Sequence, residues 1–309
     1  MASERIHIYE LLEPLARGGP GHAHRARVAE AGGPAEPGAP VVVRTADLAD
    51  VEDKLLLVRL EVTHAAAARI AGPAVAAPLD HGLVDGQEPR FWSASPWIAG
   101  RTLADLLGST AIVPDLLLEA IVGRVAEGLA AVHAAGVVGI GLSPDSILLG
   151  DDGEATIVDP GFGPAIGVRW PGTGRPPASM MCASPEVLGG NAADLRSDLF
   201  SLGCILFRCM TGGWHRPEDA RALRASAHQM DAARPDCERT QCSLFLSEVA
   251  YALLRSDPDD RIASAGALVA ILRDRRGGAW WQALGAVEAD PGRASFRLDA
   301  ACEIGADDD

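Results

Sequence analysis

His133-Ala-Ala-Gly-Val-Val-Gly-Ile-Gly-Leu-Ser-Pro-Asp-Ser-Ile-Leu-Leu149 decides how this chain is read. It follows Asp115 to Ala135, where Leu118, Ile121, Val122, Val125, Leu129 and Val132 recur with the 3.6-residue period of a helix. An amphipathic helix therefore leads into a glycine-punctuated loop, and an apolar run resumes at Ile147. Neither Gly139 nor Gly141 has a side chain that can take a proton.

The composition narrows the classes of function. The chain has 309 residues, enough for one large two-lobed domain or two small ones. With 27 basic and 42 acidic residues, the net charge is −15, which argues against nucleic acid and anionic membranes as partners. No apolar run reaches the ~18 residues that a membrane span needs. Met1-Ala-Ser-Glu-Arg-Ile6 has no signal-peptide apolar core, so a cytoplasmic protein is expected. The six cysteines form no C-x-x-C pair and read as free thiols of a reducing compartment.

The chain changes character near its first third. Tyr9 to Val28 reads as two strands around a glycine turn, and Val41-Val-Val43 as a short strand. Leu55 to Ile70 is helix-like, and Arg90 to Ile98 can form a strand that Pro96 would interrupt. Beyond it, Leu199 to Met210 is apolar nearly all round, as a buried helix is, and Ile262 to Leu272 is amphipathic.

From Tyr9 to Leu272 the order and spacing of these features resemble the protein kinases, in particular the bacterial Ser/Thr kinases of the eukaryotic-like type. The kinase catalytic loop reads H-R-D-L-x-x-x-N; the matching string here is Gly139-Ile140-Gly141-Leu142-Ser143-Pro144-Asp145-Ser146. Ser184-Pro-Glu186 resembles A-P-E, and Arg261 stands where the partner of that glutamate belongs. Asp198-Leu-Phe-Ser-Leu-Gly203 resembles the start of the buried large-lobe helix. The resemblance implies an α+β, two-lobed kinase-like fold. Its expected parts are an N-terminal tail (1–8), an N-lobe (9–98), a C-lobe (99–273) and a C-terminal extension (274–309). It also implies a structural ion pair between Glu186 and Arg261.

The chemical motifs match less well than the scaffold motifs. Arg17-Gly-Gly-Pro-Gly21 resembles the phosphate-covering loop, with Gly18 and Gly21 in place; a plain turn is the alternative. Arg44 stands at the phosphate-binding lysine, either touching a phosphate or facing solvent. Thr63, with Glu61 facing elsewhere, aligns with that lysine's glutamate partner. Asp159 in Ile157-Val-Asp-Pro-Gly161 aligns with the D-F-G metal ligand or serves as a turn carboxylate, and Pro160 replaces the phenylalanine. Ser146 replaces the second metal ligand, and Ser95 holds the gatekeeper position. Thr173 lies in the proline-rich activation segment, as an unmodified loop residue or a phosphorylation site.

Gly18, Gly21, Arg44, Ile98 and Asp159 form the candidate nucleotide site, with Asp159 the candidate metal ligand. No cofactor is expected; ATP with magnesium would bind weakly. A retained fold with a lost transfer site predicts a non-catalytic regulatory or scaffolding module with a protein partner. The alternatives are atypical ATP-dependent transfer and a small-molecule phosphotransferase, which also needs a carboxylate where Gly141 stands. Trp280-Trp281 either packs on the large lobe or anchors the partner.

Overall fold

The computed structural model describes residues 5–15, 21–47, 54–84, 90–110, 112–165, 176–225, 235 and 242–289. Strands β1 (Arg5–Ile6), β2 (Tyr9–Leu15), β3 (His22–Val28), β4 (Pro40–Asp47), β5 (Asp80–Val84) and β6 (Arg90–Pro96) form one antiparallel sheet. Its order is β1-β2-β3-β4-β6-β5. Helix α1 (Lys54–Ala67) packs on one face of it. This is the small lobe of an α+β, kinase-like fold.

Side-chain alternation on β4 sets what each face of the sheet does. Val41 and Val43 join Tyr9, Ala26, Val28 and Trp92 in an outer cluster. The opposite parity, Val42, Arg44 and Ala46, faces inward; Ala46 packs with Leu56 and Leu60 of α1, and with Phe91 and Phe162. The strand outruns the expected Val41–Val43 because Arg44 to Asp47 stay paired with Ser93 to Arg90. The paired register ends at Pro96, as a residue without an N–H should make it do. One boundary moves as well: Arg5 and Ile6 pair with Glu10 and Tyr9, so the sheet begins inside the segment expected to be a tail.

The large lobe is helical. A small sheet, β7 (Gly100–Thr102), β8 (Ile147–Gly150) and β9 (Ala155–Ile157), lies at its junction with the small lobe. Helices α2 (Leu103–Ser109), α3 (Asp115–Ala134), α4 (Leu195–Thr211), α5 (Leu244–Leu253) and α6 (Ala265–Asp274) surround one continuous apolar core. Helix α4 is buried on nearly every side. Asp194 caps it by accepting from the Arg196 and Ser197 amides, and Gly212, at φ +73°, ends it in the left-handed region.

Two features tie this lobe together. The Asp198 carboxylate, 1% exposed, accepts from the amides of Gly139 and Ile140, each at 2.9 Å, and lies 3.1 Å from His133 Nε2. Arg261 donates to both oxygens of Glu186 at 2.8 Å and to the carbonyls of Arg196, Arg255 and Ser256. Its guanidinium also lies over the Phe200 ring. With every side of the buried cation bonded, this pair avoids the usual cost of a buried charge.

Helix α7 (Ala279–Ala289) continues past the expected C-lobe. Trp280 is 5% exposed and sits edge-on to Phe245, while Trp281 is partly buried against the same core. The Trp280 ring is therefore part of the large-lobe core, because α7 turns that face inward. No helix of the described residues is long and apolar enough to cross a membrane.

Burial alone would push the Glu186 carboxyl up, but the bonds from Arg261 and Ser197 outweigh it and hold the group at about 2. Depressed from 4.5, this carboxyl stabilises the fold fully above pH 4.5, and that contribution fades as pH falls toward 2. Acid titration followed by circular dichroism should show Glu186→Gln less stable at neutral pH. Its deficit should shrink steadily below pH 4.5.

Candidate functional site

The inward parity of β4 delivers Arg44 into the cleft between the lobes. Its Nε donates to Asp159 Oδ2 at 2.8 Å, and the Arg44 side chain is 2% exposed against 13% for Asp159. Asp159 holds a φ of +56°, in the left-handed region that branched and bulky side chains avoid. The two residues aligned with phosphate and metal binding thus bind each other.

The rest of the expected constellation is distributed as follows. The Ser146 hydroxyl donates to the Ser143 carbonyl and accepts from the Ser143 amide, so it serves its own turn. At Gly141, φ +64°, no side chain enters the cleft. Gly21, φ +73°, lies so close to β4 that a Cβ would fall 1.6 Å from the Thr45 carbonyl oxygen; its glycine is required by strand packing. Gly18 and Thr173 lie outside the described residues. Ile98 packs against Ala76, Leu148 and Val158, of which Leu148 is fully buried. Ser95 is buried opposite Val42. Among the described residues there is no group of three or more side chains suited to a metal ion. The donors aligned with magnesium do not fit it here: one is paired with a cation and the other is spent on a turn.

Helix α1 contributes a residue the motif comparison did not single out. Leu56, Leu60, His64 and Ala67 form its buried stripe, at the i, i+4, i+8 and i+11 spacing of one helix face. Thr63 is only half-buried and Glu61 is exposed, and His64 is the residue of that turn that is buried. The His64 ring lies 4.7 Å from both Phe91 and Phe162, and its Nδ1 lies 2.8 Å from the Leu60 carbonyl. A Cβ on Gly161 would fall 2.6 Å from that ring. The aromatic ring under α1 is therefore Phe162, on the 3-10 turn Pro160–Ala165, three residues beyond Asp159. Pro160 starts that turn and moves the ring along the chain. The apolar spacing of Leu56, Leu60 and His64 was the available signal.

Beneath the cleft, the loop packs closely around its glycines. A Cβ on Gly139 would meet Ala193 Cβ at 2.6 Å, and one on Gly163 would meet the Gly139 carbonyl at 2.1 Å. The backbone still hangs from Asp198 as described above.

A family model described as "Protein kinase domain" matches residues 88–270. The chain belongs to the protein kinase family. Within it, the chain is similar to the serine/threonine-protein kinase PknL of Mycobacterium tuberculosis, 32% identical over 238 residues, which cover 75% of this chain and 58% of the relative. It is 34% identical over 209 residues to PknJ of the same species, covering 62% of this chain and 35% of the relative. It is 28% identical over 271 residues to PknD, covering 86% and 39%. The chain thus spans little more than half the length of the first of these kinases and less of the others.

Two measurements probe this kinase cleft. Breaking a buried pair strands a charge, so Arg44→Met and Asp159→Asn should each cost up to ~3 kcal/mol in urea unfolding. The double variant should cost less than their sum. Burial pushes His64 down, opposed by its bond to Leu60, lowered further by His81 and raised by Asp159, to about 4. Its unfolded form gains a proton first as pH falls below 6.5, so stability drains from pH 6.5 toward 4. His64→Phe should flatten the fall in thermal midpoint over that range.

Proposed function

We propose that this chain is a pseudokinase: a kinase fold that regulates or scaffolds through protein contact and performs no phosphoryl transfer. One observation carries the reading. Arg44 and Asp159 are bonded to each other across the cleft, and Gly141 stands where a proton acceptor would be needed. A nucleotide with magnesium would have to separate a buried ion pair before either charge could touch it. The side chain that takes the substrate's proton contributes ~10²–10⁴-fold in rate, and glycine supplies none of it. Scaffold contacts support the same reading, because Glu186–Arg261 and the Asp198 anchor keep a kinase shape independent of that chemistry. PknL, PknJ and PknD are named serine/threonine-protein kinases; in our reading this chain keeps their fold with a different use.

The net charge of −15 favours a protein partner with a basic contact surface and disfavours nucleic acid. Weak ATP binding is part of the proposal. Atypical transfer chemistry would still have to use Asp159, and would require Arg44 to release it.

Purified chain with Mg²⁺ and radiolabelled ATP should label neither itself nor a generic basic substrate above an Asp159→Ala control. Millimolar Mg²⁺-ATP should leave the thermal midpoint nearly unchanged, since a ligand stabilises only as its concentration passes its dissociation constant. Transfer that disappears in Asp159→Ala would overturn the proposal.

A further inference from the structure

A cavity of about 90 Å³ lies between the catalytic-type loop, the Ser179–Ser184 segment and α4. At roughly 30 Å³ per water, it has room for about three waters or one small polar group. Gly139, Gly141, Ser179, Ser184, Ser201 and Asp198 are among its lining residues.

The hydrogen-bond account of this lining is one-sided. Ser184 is 1% exposed, and its Oγ has no partner. Ser201 spends its proton on the carbonyls of Cys182 and Ser197, which leaves its oxygen free to accept. Asp198 Oδ1 takes one bond, from Ile140, and keeps accepting capacity. Among the described residues, Arg216 donates to the Ala183 carbonyl and lies over Phe200, and His133 faces Asp198 Oδ2. Among the described lining residues, Asp198 Oδ1, Ser201 Oγ and the Ser184 hydroxyl, which can also donate, offer more acceptors than donors around a buried carboxylate, so the guest that satisfies them is rich in N–H and positively charged.

We propose that this cavity receives one basic side chain, an arginine or lysine, presented by a protein partner. The acidic balance of the whole chain favours such a partner. The assignment rests on and deepens the non-catalytic reading, since Gly141, which carries no carboxylate, lines the same cavity. The two can still fail separately: the transfer assay judges the reading, and the titration below judges the cavity.

The test is an amide-resolved NMR titration of the full chain with acetyl-Gly-Gly-Arg-Gly-Gly-amide. Its citrulline counterpart is a near-isosteric neutral control. We expect saturating shifts at Gly139, Gly141 and Ser184, with the citrulline peptide weaker by ~tenfold or more. Ser184→Val breaks no hydrogen bond and fills the space, so it should keep the wild-type melting temperature and lose the shifts. Absent shifts, equal response to citrulline, or undiminished binding by Ser184→Val would each overturn the proposal.

Discussion

The buried carboxylate of Asp198 is the constraint on which the large lobe depends. It sits on the first turn of a helix that is itself core, and it takes bonds from two consecutive loop amides. Those amides would otherwise be stranded beneath the cleft at a cost of ~1–3 kcal/mol each. Because the bonds are to backbone, they are indifferent to the side chains that the loop carries. The path of the loop at Gly139 and Ile140 is therefore held without any contribution from a catalytic side chain. His133 extends the same arrangement back to α3, so helix, loop and core helix are joined at one residue.

The cleft is built on the opposite principle, with side chains in place of backbone. Arg44 reaches it from a central strand, where it cannot turn to water, and Asp159 reaches it from a strained turn. Each charge is tolerable because the other is present. His64, Phe91 and Phe162 close the apolar side of that pair, with the histidine held neutral at ordinary pH. The charge of each side chain in this pair is balanced by the other.

Features set by backbone periodicity were readable from the sequence, and features set by packing were not. The period of Leu118 to Val132 placed α3 within a residue of its observed end. The two-lobed layout followed from the order of strands and helices. On α1 the motif alignment points to Thr63, which is half-buried. The helix itself turns Leu56, Leu60 and His64 inward. Similarly, Pro160 read as the loss of an aromatic ring, when a 3-10 turn supplies Phe162 in its place. Trp280 could not be assigned to core or surface until the path of α7 was known. That Arg44 and Asp159 meet, 115 positions apart, is a fact of tertiary structure alone.

The close contacts around Gly139 bear on engineering. A histidine placed there would need Ala193 to withdraw, and any side chain at Gly163 would strike the carbonyl of Gly139. Residues on three separate segments fit together only because each is small. Installing a histidine at position 139 is therefore not a single-site change, since the new side chain meets Ala193 before that neighbour is altered. The packing works as a lock with its tumblers on different segments, and no one of them turns alone.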